Sequence, residues 1–505
     1  MDQFWKQFKS GTDIRGVAVD GVAGEPLNLT DEVVAKMACA FLLWLSNRTG
    51  KPVEELTVAV GHDSRISAER IRSAVVKAMV DCGAKVLNCG LSSTPSMFMI
   101  TLDRNCDGSI QLTASHHPYH RNGLKFFTPD GGLDGCDIEA ILAFCDEDKQ
   151  PEQRDGGSVA DIDYMKDYAA HLRKLICDGI QAENYDKPLA GFHIVVDAGN
   201  GAGGFYAYDV LETLGADISG SVFLEPDGMF PNHIPNPEDK KAMQSICGAV
   251  LGAKADLGVI FDTDVDRGGA VDSFGAELNR NRLVAIASEI ALETCPGGTI
   301  VTDSTTSAGL KTFIETTLGG VHYRYRRGYR NVINRAIELN AQGIACPLAI
   351  ETSGHAAFKE NYFLDDGAYL VTKIIIKMAQ LRAQGKTLAE LTAALEEPLE
   401  ESELRFKIKT EDFRAYGEKV LADLETYAKA RPDWLIADDN REGLRVSFAD
   451  EQGWFLLRLS VHDPIMPLNL ESMKEGGCRA IAAKLYEFLK GCDALDLTAI
   501  EAFLA

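Results

Sequence analysis

LTASHHPYHRNGLK, residues 112–125, sets a serine between Ala114 and two histidines, with Pro118, an Asn122-Gly123 pair and Lys125 downstream. The short apolar run before it, 108–112, reads as the end of a strand. Pro118 and an Asn122-Gly123 turn cannot continue that strand, so Ser115 is expected on an exposed loop just past it. A serine beside imidazoles and a downstream lysine suits nucleophilic or phosphoryl chemistry. The same residues also suit a hydrogen-bonded turn with no chemistry. Upstream, the pattern predicts a helix over 31–46 capped by Thr30 or Asp31, a strand over 56–63, a helix over 68–82 and a strand over 85–89. Strand and helix in this alternation imply parallel strands with crossover helices, and active loops at the strands' carboxyl ends.

At 505 residues the chain is too long for one core, and three or four domains are expected. With 51 basic against 75 acidic residues the formal charge is −24, which argues against nucleic acid and anionic membrane as partners. An anionic substrate would then require the few basic residues to gather at its site. Twelve scattered cysteines without a CxxC pair suit reduced thiols. Residues 1–10 lack an apolar signal core, and no window reaches the ~18 apolar residues of a membrane helix, so a cytoplasmic protein is expected.

Further stretches carry chemistry. In 10–20, SGTDIRGVAVD, Gly11 and Gly16 bracket Arg15, either a surface arginine or one aimed at a phosphate. In 197–204, DAGNGAGG follows an apolar strand, and Gly199, Gly201 and Gly204 satisfy GxGxxG with Glu225 closing the next strand, the layout of a dinucleotide fingerprint. In 255–268, ADLGVIFDTDVDRG, an apolar strand ends in Asp262, Asp264 and Asp266, then Arg267. Three carboxylates at i, i+2 and i+4 on a tight loop are a hard-oxygen set suited to Mg²⁺, and the alternative is a solvated acidic turn. The run 322–330, HYRYRRGYR, reads as a local phosphate site, since so acidic a chain disfavours nucleic acid. In 348–357, LAIETSGHAA, a polar cluster breaks an apolar strand; His355 is either a ligand or a satisfied core histidine. The polar stretch 150–160 marks a boundary, and 396–403 reads as an acidic linker before a last segment of order β, α, β, β, α.

In this order the motifs resemble those of the α-D-phosphohexomutases. The opening resembles GTxxxRG. Residues 113–118 resemble the TASHNP phosphoserine loop, with His117 in place of Asn. FPNHIPNPE at 230–238 resembles the F-x-x-H-x-P-N-P-E connector. Asp262–Arg267 resembles DGDxDR with Thr263 for Gly, a position where threonine is strained if φ must be positive. Gly328 and Tyr329 match a [KR]-x-G-[HYFK] loop, and 350–355 matches GE-x-SGH with Ile350 for Gly. Of RPSGTEP only Arg458, Ser460 and Pro464 match, with His462 a substitute donor.

The resemblance, which is to the bacterial phosphomannomutase/phosphoglucomutase group, implies three tandem α/β domains (mixed-sheet, helix-covered) plus a C-terminal α+β domain around one central cleft. The expected domains are 1–158 with the phosphoserine loop, 159–275 with the metal loop, 276–398 with the sugar loop and 399–505 with the phosphate loop. It implies interconversion of hexose 1-phosphate and hexose 6-phosphate (mannose, glucose or both) through a phosphoserine and a hexose 1,6-bisphosphate, which also acts as activator. Ser115, Lys125, Arg15, His116 and Arg267 would be catalytic. One Mg²⁺ per chain would be held by Ser115, Asp262, Asp264 and Asp266. Glu351, Ser353 and His355 would read sugar hydroxyls, and Arg327, Gly328, Tyr329, Arg458, Ser460 and His462 the non-reacting phosphate. The expected partners are small hexose phosphates, with no nucleic acid or membrane, and a monomer or homodimer. Three other readings stay open: a phosphoglucosamine mutase, an NAD-dependent oxidoreductase, and a sugar-phosphate-binding protein that has lost turnover.

Overall fold

Strand Gly108–Leu112 is buried at every position and lies inside a mixed sheet. From edge to edge that sheet runs Lys9–Ser10, Asp13–Val17, Arg121–Thr128, Gly108–Leu112, Thr57–His62, Lys85–Leu91 and Ser158–Asp161. Gly108–Leu112, Thr57–His62 and Lys85–Leu91 pair in parallel, as crossover helices require, whereas Arg121–Thr128 is antiparallel to both its neighbours. The structure, a computed structural model, describes residues 1–460 and 463–505. The expected phosphate ligand His462 therefore lies outside the described residues. The chain forms two compact units, Met1–Ile290 with Ser353–Leu391, and Ala291–Thr352 with Thr392–Ala505.

Local chemistry sets the elements of the first unit. The Thr30 hydroxyl accepts the Val33 amide and starts helix Asp31–Thr49, with Asp31 and Glu32 complementing the positive end of its dipole. Gly50, at φ 71°, stops it. Its apolar stripe, including Val34, Met37, Phe41 and Leu45, packs on Val58, Ile110 and Phe126 of the sheet. A smaller sheet orders Gly268–Asp272, Leu257–Phe261 and Ile194–Asp197, the latter two parallel. Helices Tyr164–Ile180 and Gly367–Ala383 meet where the Tyr168 hydroxyl donates to Asp366 at 2.7 Å.

In the second unit, Val321–Arg324, Thr299–Thr302 and Leu348–Ile350 are parallel. An antiparallel sheet runs Glu400–Lys407, Ile465–Ser472, Gly453–Leu457, Leu444–Phe448 and Leu435–Ile436, with helices Phe413–Lys429 and Gly477–Leu489 burying its apolar residues. Among the described residues no helix is long and apolar enough to cross a membrane.

Three expectations are corrected. Asn122-Gly123 is not a turn but part of strand Arg121–Thr128. A Cβ on Gly123 would sit 2.2 Å from the Ile14 carbonyl, so the glycine admits close approach of strand Asp13–Val17 rather than a bend. Ser115 is not exposed; only 4% of its surface reaches solvent. Before helix Gly477–Leu489 the last segment carries two more strands than the expected β, α, β, β, α, namely Leu435–Ile436 and Ile465–Ser472. Pro467 hid the second of these, yet its carbonyl is used, accepting the Arg458 amide at 3.1 Å.

Candidate active site

Two parallel-strand ends deliver the site. Leu112 ends one strand and Phe261 the other, and the turns after them carry Ser115 and Asp262. Ser115 Oγ donates to Asp262 Oδ2 at 3.1 Å and accepts from Arg267 Nη2 at 3.1 Å. Residues 147 positions apart thus meet through side chains buried from solvent. Arg267 also donates to Asp262 from Nε at 3.2 Å, to Asn236 Oδ1 at 3.0 Å and to His116 Nδ1 at 2.7 Å. Because His116 Nδ1 accepts, the ring is neutral with its proton on Nε2. Burial, together with the charge of Arg267, pushes this imidazole down to about 2.

Lys125, 4% exposed, donates from Nζ to Asp264 Oδ2 at 3.1 Å and to Asp266 Oδ2. The Thr94 hydroxyl donates to Asp264 Oδ2, and the Thr94 amide to the Asp264 carbonyl at 2.8 Å, so the N-terminus of helix Thr94–Asp103 abuts the acidic loop. Burial and the neighbouring Asp266 and Asp264 push the Asp262 carboxyl well up. Burial also acts to raise Asp266, but Lys125, His355 and Arg267 hold it below the usual carboxylate range. His355 Nδ1 lies 2.6 Å from Asp365 Oδ2 and 3.9 Å from Asp266 Oδ1. Burial alone would lower this imidazole; Asp365 and Asp266 overcome it and raise it to about 9.

The acidic loop fits a divalent cation. Asp262, Asp264 and Asp266 each offer a carboxylate oxygen, all within 4.8 Å of one another. Asp264 Oδ1 and Asp266 Oδ1 are buried and have no hydrogen-bond partner among the described residues. Buried, unpartnered carboxylate oxygens gathered on one loop are what a hard cation requires. Thr263 does not take a positive φ, so it is not strained there; the left-handed residue of the loop is Val265, at φ 68°.

The glycine run 199–204 has a purpose other than a pyrophosphate turn. A Cβ on Gly201 would lie 2.6 Å from the Thr263 carbonyl, and the Ala202 amide donates to that oxygen at 2.8 Å. The run is a seat for the acidic loop.

Arg15 lies in strand Asp13–Val17, its Nη2 donating to Asp13 at 2.9 Å. Ser353 is buried near His355, and its hydroxyl has no partner among the described residues. In the second unit, Glu351 accepts the Gly328 amide at 2.6 Å, bringing two of the expected substrate loops together. Helix Tyr329–Ala341 starts at the expected Tyr329, with Gly328 as its cap. Arg327 N–H donates to Glu442 at 3.1 Å. Arg458 is largely buried, within electrostatic range of Glu442, Arg327, Glu403 and Asp303, and the Ser460 hydroxyl accepts the Asp463 amide at 3.3 Å.

Sequence reading missed Thr94, Asn236, Asp365, Asp63, Arg65 and Thr113. Asp63 and Arg65 carry a signal, a D-x-R at the end of a strand. Thr94 had none, since a threonine at a helix start is ordinary capping.

Comparison with known proteins agrees with this arrangement. Residues 7–152, 166–275 and 279–399 match the models of phosphoglucomutase/phosphomannomutase alpha/beta/alpha domains I, II and III respectively. The chain belongs to the α-D-phosphohexomutase family, a family of metal-dependent mutases that move phosphoryl groups. It is 27% identical over 482 residues to a phosphomannomutase/phosphoglucomutase of Pseudomonas aeruginosa, covering 95% of both chains. A phosphoglucomutase/phosphomannomutase of Thermococcus kodakarensis is 29% identical over 466 residues, covering 91% of this chain and 94% of the other. The fold matches that of a phosphoglucomutase/phosphomannomutase family protein from Burkholderia thailandensis with TM-score 0.79, at 24% identity over 98% of each chain.

Proposed function

We propose that the protein interconverts hexose 1-phosphate and hexose 6-phosphate, of glucose, mannose or both, with Ser115 as phosphocarrier, Mg²⁺ as the cation and a hexose 1,6-bisphosphate as intermediate and activator. The observation that carries this is the pair of 3.1 Å contacts that Ser115 Oγ makes with Asp262 and Arg267. A carboxylate and a guanidinium on one serine oxygen suit a hydroxyl that gains and loses a phosphoryl group, where positioning and charge stabilisation govern the rate.

In the first half-reaction the phosphoserine Oγ–P bond breaks and a bond forms from phosphorus to a sugar hydroxyl. The proton leaving that hydroxyl balances the one Ser115 regains. The bisphosphate then returns its other phosphoryl group to Ser115. Arg267 braces the phosphoryl oxygens, and Arg15 and Lys125 give electrostatic support or accept the sugar's proton. Asp262, Asp264 and Asp266, with a phosphate oxygen on Ser115, would hold the cation, which supplies positive charge against the phosphoryl oxygens. His116 keeps Arg267 in place as a neutral acceptor. Glu351, Ser353 and His355 read sugar hydroxyls; Arg327, Gly328, Tyr329, Arg458, Ser460 and His462 take the non-reacting phosphate. We place the domains at 1–158, 159–275, 276–398 and 399–505, and the protein in the cytoplasm as a monomer or homodimer.

The test is intact mass together with a coupled assay. Incubation with glucose 1,6-bisphosphate and Mg²⁺ should add one phosphate to the protein and none to S115A. Glucose 1-phosphate or mannose 1-phosphate should be turned over by the wild type only. No turnover of either sugar phosphate, with no added mass, would remove the assignment.

A further inference from the structure

Arg65 belongs to none of the motifs that carry the proposed reaction, yet it is 2% exposed and all five of its guanidinium N–H bonds are used. Nε donates to Asp63 Oδ2 at 3.1 Å. Nη1 donates to the carbonyls of Pro118 at 2.7 Å and Arg121 at 2.9 Å, and Nη2 to those of His117 at 2.7 Å and Ser115. Four of five acceptors are thus backbone oxygens, three in the loop that carries the phosphocarrier and the fourth on Arg121, which opens the next strand. The face of the guanidinium is covered by the Phe230 ring, 5.3 Å from its centroid.

The other peptide group of Ser115 is tied to the same ion pair. Its N–H donates to Thr113 Oγ1 at 2.9 Å, and that hydroxyl donates to Asp63 Oδ2 at 2.7 Å. Asp63 Oδ1 in turn accepts the Arg65 amide at 3.0 Å. The N–H and C=O of one residue are therefore both anchored to Asp63 and Arg65. Ser115 needs that anchoring, because it stands at φ 51°, a left-handed conformation that a residue with a side chain holds only when its surroundings impose it. Released, the backbone would relax and swing Oγ away from Asp262 and Arg267.

We infer that Arg65, acting with Asp63 and Thr113, is a positioning residue that holds the Ser115 backbone in the left-handed turn from which its hydroxyl meets the phosphoryl group. The inference rests on Ser115 as phosphocarrier. Lysine cannot substitute, since one ammonium cannot address four carbonyls spread around a planar fork.

The experiment uses the full-length protein with Mg²⁺, glucose 1-phosphate and glucose 1,6-bisphosphate. R65K should lower kcat about 100-fold, and T113V about 10-fold, with KM within ~3-fold of wild type, the pattern of a misaimed reacting group. Phosphate uptake by Ser115, followed by intact mass, should slow in parallel. T113S keeps the hydroxyl and should restore kcat, which a merely structural role for the side chain's bulk would not require. If R65K does not fold, T113V against T113S carries the test alone. Equal kcat in T113V, T113S and wild type, or a loss confined to KM, would overturn the positioning role. S115A is the separate control: turnover surviving in S115A removes the phosphocarrier reading, whereas an inert S115A beside a fully active T113V overturns only the inference about Arg65.

Discussion

Gly201 lies so close beneath Thr263 that the two segments touch backbone to backbone: a Cβ on the glycine would meet the Thr263 α-carbon at 2.8 Å and its carbonyl oxygen at 2.6 Å. The metal loop therefore rests on a surface with no side chain. G201A must push Thr263 outward, and an inserted methyl in so tight a place costs about 1–3 kcal/mol. We expect a lowered unfolding temperature and at least a ~10-fold rise in the Mg²⁺ concentration for half-maximal activity, since each kcal/mol of loop displacement falls on the carboxylate geometry. A Mg²⁺ titration of activity checks this. An unchanged titration curve would mean the seat is irrelevant to the ion.

Thr94 gives a second handle on the same loop. Its hydroxyl donates to Asp264 Oδ2, while its amide separately holds the Asp264 carbonyl. T94V removes the first bond and keeps the second. Outer-shell partners of this kind are worth about 10- to 100-fold in metal affinity. T94V should weaken Mg²⁺ by that factor, measured by calorimetric titration, with kcat recovering at saturating metal. Chelation with EDTA should abolish turnover in both proteins, and added Mg²⁺ should restore it.

What the sequence disclosed followed physical locality. The acid triplet was legible because its three carboxylates sit within five residues on one turn, after a strand whose apolar run is plain. The start of helix Asp31–Thr49 was legible because Thr30 and the acidic first turn mark it, whereas its end was expected at 46 and Gly50 sets it three residues later. By contrast, Asn122-Gly123 looked like a turn because local propensity favours one; the reason for Gly123 is the Ile14 carbonyl, over a hundred positions away. Pro467 masked a strand for the same reason, since its pairing with Arg405 is a tertiary fact. Ser115 was expected exposed because loop composition says nothing of Arg65, which draws the loop inward from fifty positions upstream. The clustering of the acid triplet was readable, but what supports it was not.

His233 predicts a pH effect on stability. Its Nε2 lies 3.0 Å from Asp197 Oδ2 and its Nδ1 2.9 Å from the Ile234 carbonyl. Both partners are acceptors, so both nitrogens must donate and the ring is an imidazolium. Burial opposes that charge, but Asp197 outweighs it and holds the imidazole above its ordinary value of about 6.5. A folded pKa above the unfolded one gives stability that is complete below pH ~6.5 and fades as pH rises through the folded value. H233Q should therefore cost about 1.5–3 kcal/mol in urea unfolding at pH 6, where a charged hydrogen bond is lost. The gap between wild type and H233Q should narrow at higher pH. A gap that stays constant from pH 6 to 9 would show that His233 is neutral in the folded protein.

Glu351 separates charge from geometry in the second unit. Its Oε1 accepts the Gly328 amide at 2.6 Å, a short bond of the charge-assisted kind, and Gly328 caps helix Tyr329–Ala341. The carboxylate fixes the turn that carries Arg327 and Tyr329, and in the reaction proposed above the same side chain would read a sugar hydroxyl. E351Q keeps an acceptor for Gly328 and a polar group for the sugar, so the turn should persist and KM should rise only about 3- to 10-fold, as a charged acceptor becomes neutral. E351A loses both, leaving the Gly328 amide without its partner, and KM should rise about 100-fold or more, near 3 kcal/mol. Steady-state kinetics with glucose 1-phosphate distinguish the two variants. If E351Q and E351A raise KM equally, the charge alone matters and the anchoring of Gly328 is incidental; if neither changes KM, Glu351 does not read the sugar.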